Sequence, residues 1–171
     1  RCSKCSGEHY VIHKIEVFGD NDLRYELPPM PQPCPDGTQK LTGGNWKVRR
    51  ASEVKESGIV LSCSGYDDSE WLPATVPGTV LVSYLNAGAV PDPDYDDWQF
   101  QISEEYFTAD FWYRNSFHIP ESRRGKRVFL NFNSINWKAD VYFNSVLLRN
   151  ETPGRMRSIE GAFIRAKFDV T

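Results

Sequence analysis

The pattern of apolar and polar positions is most regular in the C-terminal part of the chain. From residue 110, Phe111, Tyr113, Asn115 and Phe117 alternate with Trp112, Arg114, Ser116 and His118 until Pro120 interrupts them. Alternation returns over residues 126–133, through Val128, Leu130 and Phe132. Residues 139–144 and 146–148 read as a hairpin about Asn144-Ser145. Over residues 162–170, Ile164, Ala166, Phe168 and Val170 oppose Phe163, Arg165, Lys167 and Asp169. Successive side chains of a strand point to opposite faces, so a period of two marks sheets with one buried face. At least five short strands separated by turns predict an all-β fold, an antiparallel β-sandwich.

Upstream the pattern is less regular. Residues 45–54, NWKVRRASEV, read as the first strand of the sandwich, with Trp46, Val48 and Arg50 on one face and Trp46 anchoring a core. Ile59-Val60-Leu61 reads as a further short strand, and residues 65–70 as a polar turn. The rest is organised around residues 71–106. The chain bends at Val76-Pro77-Gly78, after which Thr79 is placed to cap a short helix running to Gly88. Val80, Leu81, Tyr84 and Leu85 fall at helical spacing, and packing explains them better than ligand binding. Residues 91–98, PDPDYDDW, carry prolines that exclude regular structure and four acids within six positions. Ser103 is placed to cap a turn containing Glu104, Glu105 and Tyr106.

At the other end, residues 9–18 alternate with β-branched positions and stop at the turn Gly19-Asp20-Asn21-Asp22. Residues 28–35, PPMPQPCP, form a linker, because proline fixes φ and removes a donor, favouring an extended spacer. This places a domain boundary between an end segment at 1–26, a linker at 27–40 and a principal domain at 41–171.

Composition narrows the function classes. A chain of 171 residues with 40% hydrophobic and 13% aromatic positions has room for one full-sized domain plus end segments. Its net charge of -3 argues against nucleic acid, and the single dense basic group, Arg123, Arg124, Lys126 and Arg127, reads as a solvated hairpin loop. No apolar run approaches the ~20 residues of a membrane span. The chain opens on Arg1-Cys2-Ser3, without a Met start or an apolar leader, as an internal fragment of a longer polypeptide would.

Metal and cofactor chemistry find little support. Cys2, Cys5, His9 and His13 offer four possible zinc ligands, but zinc folds usually leave a longer connection between ligand pairs. The acids of 91–98 lack the central Gly and terminal Glu of an EF-hand loop. The reading is therefore no metal and no cofactor. A Cys34–Cys63 disulfide is possible in an oxidising compartment, but spacing alone does not establish it. Trp112 and Trp137 are candidate stacking platforms for a sugar, with core or interface packing the commoner fate of a strand Trp.

Several motifs in order carry a family resemblance: WLPATVPGTV at 71–80, Pro-Asp-Pro-x-Tyr at 91–95, Phe-Trp-Tyr-Arg at 111–114, ADVYFN at 139–144 and FDVT at 168–171. Together they resemble the N-terminal sugar-binding domain of glycoside hydrolase family 2, in the branch of exo-β-glucosaminidases and β-mannosidases. YVIHKIEVFG, at 10–19, resembles the closing strand of a discoidin-like domain.

The resemblance implies a jelly-roll, galactose-binding-like sandwich with one short helix near 79–88. It also implies a catalytic barrel in the same polypeptide, carbohydrate as partner, and a secreted or periplasmic setting. In relatives the acidic loop points towards the barrel's sugar pocket, so Asp92, Asp94, Tyr95 and Trp98 are the substrate-binding candidates. The loop departs from the family pattern at Asp96 and Trp98, and the hairpin turn is Asn144-Ser145 where Asn-Gly is usual.

Retaining hydrolysis needs two carboxylates ~5 Å apart across the scissile bond. Adjacent Glu104 and Glu105 would diverge on a strand or a helix, so no catalytic residue is expected here. A family strand normally follows the point where Thr171 falls; were Thr171 the physical end, an unpaired edge would favour self-association. The alternatives are an autonomous carbohydrate-binding module, with an exposed aromatic platform, and a structural interaction domain, with Trp112 and Trp137 buried.

Overall fold

The computed structural model describes residues 37–43, 45–104, 108–149 and 157–171. The expected strand at 9–18, the Cys2–His13 group, Cys34, the linker at 28–35, and Glu105 with Tyr106 lie outside the described residues. In chain order the elements are β1 (Lys47–Arg50), α1 (Gly58–Leu61), β2 (Leu72–Pro73), α2 (Val80–Asn86), β3 (Phe111–Arg114), β4 (Phe129–Ile135), β5 (Lys138–Ala139), β6 (Val141–Phe143), β7 (Val146–Leu148), β8 (Ile159–Glu160) and β9 (Ile164–Asp169). Every strand pairing among them is antiparallel. No helix among the described residues is long and apolar enough to cross a membrane.

One compact unit takes in described residues up to Val54 together with Asp68–Phe117. Its sheet runs in the order β2-β1-β3, with Val48 facing Leu72 on one side and Tyr113 on the other. Val48 is wholly buried, and Trp71, Ala74, Tyr84 and Val90 are also buried in this unit. Trp46 is a lesser anchor than expected: it is half-buried, and its indole N–H donates to Leu41 O at 2.5 Å. The strand expected from 110 to Pro120 stops at Arg114, because its partner β1 begins at Lys47 and the ladder has nothing further to pair. The Arg114 guanidinium pairs with the Asp68 carboxylate, both well shielded from solvent.

The second unit comprises Lys55–Asp67 and His118–Thr171. Its ladders are β4-β9, β5-β8 and β6-β7. Val141, Ile159 and Phe168 form the core, surrounded by Leu130, Phe132, Ile135, Leu148, Ile164 and further apolar neighbours. The two faces of β9 are those read from its alternation: Ile164, Ala166, Phe168 and Val170 pack on this core, while Arg165, Lys167 and Asp169 are exposed.

Ile59-Val60-Leu61 is not a strand but lies in the single helical turn α1, despite two β-branched residues. Packing overrides propensity here. Gly58 is buried against Tyr142, and a Cβ there would meet the Tyr142 ring closer than 3.0 Å. The end of α1 is then fastened to the β6-β7 hairpin, with Ser145 N–H donating to Ser62 Oγ at 3.0 Å and Ser145 Oγ 3.0 Å from Cys63 Sγ.

The hairpin turn itself has φ of 45° at Asn144 and 68° at Ser145. Both central residues are left-handed, the signature of a type I′ turn. A non-glycine residue in that region costs roughly 1 kcal/mol or more, partly offset by glycine's larger loss of chain entropy. Ser145→Gly is therefore expected to stabilise the domain by about 0.5 kcal/mol. A urea midpoint that falls instead would show that the Ser145 hydroxyl matters more than the backbone strain.

Asp169 closes β9. Its carboxylate accepts from the Thr171 hydroxyl at 2.5 Å, from the Thr171 N–H at 3.2 Å and from Arg127 Nη2 at 2.5 Å. The Thr171 hydroxyl above all, then Arg127, hold its pKa at about 2 against an ordinary 3.8. The native carboxyl thus takes up its proton less readily than the unfolded one. The stability it contributes is complete above pH 3.8 and is lost as pH falls through about 2. Carbon-13 NMR titration should find a midpoint near 2, raised more by Thr171→Val than by Arg127→Gln; a wild-type midpoint at 3.8 or above would contradict this.

Candidate functional site

The candidate loop is delivered by the helix before it. Thr79 caps α2, its hydroxyl oxygen accepting from Val82 N–H at 3.2 Å. Ser83, wholly buried on this helix, donates to Thr79 O at 3.0 Å and accepts from Thr75 N–H at 3.1 Å. Asn86 reaches Thr75 Oγ1 at 2.8 Å, so the Pro-Gly bend and the helix are fastened at both ends. The Tyr113 hydroxyl hydrogen-bonds Ser83, and burial pushes its pKa up although that bond opposes the shift.

At its other end α2 closes with Gly88 at φ 68°. Gly88 N–H donates to Leu85 O at 2.9 Å and Ala89 N–H to Tyr84 O at 2.8 Å. This pair of bonds is a Schellman cap, which needs a left-handed residue at the glycine. The chain then passes through buried Val90 and Pro91 and emerges at Asp92.

The loop winds through successive turns. Asp92 Oδ1 accepts from Asp94 N–H at 2.9 Å, an Asx turn, and Asp92 O accepts from Tyr95 N–H at 3.2 Å. Asp96 adopts φ 49°, and Trp98 N–H donates to Tyr95 O at 3.2 Å, opening a 3-10 turn over Trp98–Gln101. The Tyr95 and Trp98 rings meet with centroids 4.9 Å apart, tilted by 59°. Tyr95 is 63% exposed, and Asp92, Asp94, Asp96 and Asp97 all face solvent.

Tyr95 and Trp98 are thus brought together as an open aromatic pair. Asp92 spends one carboxylate oxygen on holding the turn, while the Asp94 carboxylate holds no such bond among the described residues. No three Asp, Glu, His or Cys side chains converge on a possible metal position among the described residues. Phe100, 79% exposed, went unnoticed in the sequence. The available signal was the run Tyr95, Trp98 and Phe100, three aromatics in a stretch with no strand alternation to bury them.

Such a loop can present carboxylate acceptors to hydroxyl or ammonium groups and ring faces to apolar C–H surfaces. Of the two tryptophans weighed as platforms, Trp112 on β3 is half-buried, and Trp137, in the bend between β4 and β5 and not on a strand, is 57% exposed. Glu104 is exposed, and Glu105 lies outside the described residues.

Comparison with known proteins agrees with this architecture. The exo-beta-D-glucosaminidase of Streptomyces avermitilis is 30% identical over 150 residues, covering 86% of this chain and 16% of the relative. The mannosylglycoprotein endo-beta-mannosidase of Lilium longiflorum is 35% identical over 117 residues, covering 63% of this chain and 12% of that protein. The crystal structure of Amycolatopsis orientalis exo-chitosanase CsxA shares the fold with a TM-score of 0.64 at 21% identity, over 85% of this chain and 15% of the other. The chain therefore spans about a sixth or less of the length of these proteins. Residues 46–171 match the family model of the glycosyl hydrolase 2 galactose-binding domain-like region. With that match running from β1 to the last residue, the chain belongs to the glycosyl hydrolase 2 family, as its galactose-binding-like β-sandwich domain.

Proposed function

We propose that this domain is a non-catalytic accessory module of a larger retaining exo-β-glycosidase, of the β-glucosaminidase, β-mannosidase or β-galactosidase kind. It packs on the catalytic barrel of the same polypeptide and supplies residues 91–98 to one rim of the sugar pocket. The observation that carries this reading is that residues 46–171 match the family's galactose-binding domain-like region while the relatives are several times longer than this chain. The loop geometry supports it. Tyr95 and Trp98 offer ring faces, and Asp92 and Asp94 offer acceptors for sugar hydroxyls or for the ammonium of a glucosamine unit. The jelly-roll strand order belongs to the same proposal, as does a secreted or periplasmic setting, where polymeric glycans are met.

The test is hydrolysis of a panel of aryl β-hexosides, including the β-glucosaminide and the β-mannoside, by the intact polypeptide beside the 171-residue chain. Cleavage of one substrate by the intact protein and of none by the chain is expected. Cleavage by the chain alone, or by neither, would remove the accessory reading.

A second reading, an autonomous carbohydrate-binding module, is favoured by the exposure of Trp137, which an interaction domain with both tryptophans buried does not account for. It requires glycan binding by the chain alone that Trp137→Ala abolishes.

A further inference from the structure

The 91–98 loop contains two consecutive β-turns that meet at Tyr95. In the first, residues 92–95, Asp92 O accepts from Tyr95 N–H at 3.2 Å. Pro93 stands at the second position of that turn, which its fixed φ suits. Asp92 holds the turn a second time, because its Oδ1 accepts from Asp94 N–H at 2.9 Å. In the second turn, residues 95–98, Tyr95 O accepts from Trp98 N–H at 3.2 Å. Asp96 opens it at φ 49°, a left-handed conformation that Asp adopts more readily than most residues.

Tyr95 is therefore the last residue of one turn and the first of the next, and Trp98 ends the second. Their ring centroids are 4.9 Å apart, yet Tyr95 is 63% exposed. A ring so open is not held by core packing, so its direction is set by the backbone on either side. Upstream, the side chain that fixes that backbone is Asp92.

We propose that Asp92 is a positioning residue for the Tyr95–Trp98 pair. It acts on the sugar through those two rings, and what it supplies is a hydrogen-bond acceptor and not a negative charge. The inference rests on the rim role proposed above for residues 91–98 and divides that role among the side chains. Rings already held in their bound arrangement lose less freedom when the sugar arrives. Asn at position 92 would serve, since its side-chain carbonyl makes the same Asx turn, whereas Ala would not.

The experiment is a kinetic cycle on the intact polypeptide, with kcat/KM on its preferred aryl β-hexoside and the melting temperature measured for each variant. Tyr95→Leu/Trp98→Leu should lower kcat/KM about tenfold, and Asp92→Ala about three- to tenfold, without a change in melting temperature. Asp92→Asn should recover most of the loss, to within about twofold of wild type. Added to the ring-less background, Asp92→Ala should cause no further fall, because groups that act as a unit are not additive. Three results would overturn the assignment while leaving the rim role standing: Asp92→Ala like wild type, Asn falling as far as Ala, or effects of Asp92→Ala and ring loss that add. Ring-less and Asp92→Ala variants that both keep the wild-type kcat/KM would remove the rim role and this assignment together.

Discussion

Ile159→Ala is expected to destabilise the domain by about 2–5 kcal/mol, the cost of removing most of a buried aliphatic side chain and leaving a cavity. Ile159 has no exposed surface and lies with Val141 and Phe168 at the centre of its unit. It pairs with Ala139 in the β5-β8 ladder, so the cavity cannot be filled from that strand without moving its backbone. The neighbouring Ser158 raises the cost of any such movement. Its hydroxyl donates to Leu148 O and accepts from Val141 N–H at 3.0 Å, joining β6 and β7. Ile159→Val, which deletes one methylene, should cost only about 0.5–1.5 kcal/mol. Urea unfolding measures both, through a lower midpoint at unchanged slope. Equal small losses for the two variants would mean that the site collapses around the deletion.

The second large effect is expected at Arg114. Replacing it by methionine leaves the Asp68 carboxylate shielded and uncompensated, a change that costs about 3–5 kcal/mol for a buried pair. Asp68 keeps 24% of its side chain exposed against 11% for Arg114, so the lower end of that range applies. Asp68 also accepts, through its carbonyl, the N–H of buried Trp71 at 3.0 Å, so losing the pair loosens the start of β2 as well. Removing both charges, Asp68→Leu with Arg114→Met, should recover much of the loss, because no lone charge remains. If the double variant is as unstable as Arg114→Met alone, the guanidinium contributes by packing and not by compensating Asp68.

How much of this was readable beforehand depends on how local the deciding forces are. The faces of β9 follow from one-sided burial, which writes itself into the sequence as a period of two. The α2 cap and stop follow from Thr79 and Gly88, each of which acts on bonds within a few residues of itself. By contrast, α1 is decided by Tyr142 above Gly58 and by Ser145 against Ser62, contacts 83 and more residues apart that no window around Ile59 contains. The early stop of β3 depends on where β1 begins, which alternation in β3 cannot reveal.

The candidate loop is an intermediate case. Composition shows that residues 91–98 are irregular, acidic and aromatic, but Asp92, Asp94, Tyr95 and Trp98 were marked by family resemblance. The structure adds the Asx turn that distinguishes Asp92 from Asp94 and the closeness of the Tyr95 and Trp98 rings. It also adds Phe100, whose exposure no periodicity announces.

The role proposed for residues 91–98 is contact with a sugar held by the rest of the polypeptide. The most direct measurement is kcat/KM of the intact polypeptide on its preferred aryl β-hexoside, for Asp94→Ala, Tyr95→Ala and the Asp92→Ala/Asp94→Ala pair. Glu104→Ala serves as an exposed carboxylate control outside residues 91–98. A fall of about tenfold or more is expected for the loop variants, equivalent to at least ~1.4 kcal/mol of transition-state stabilisation, with melting temperature and the control unchanged. Loop variants that melt normally and keep the wild-type kcat/KM would contradict it.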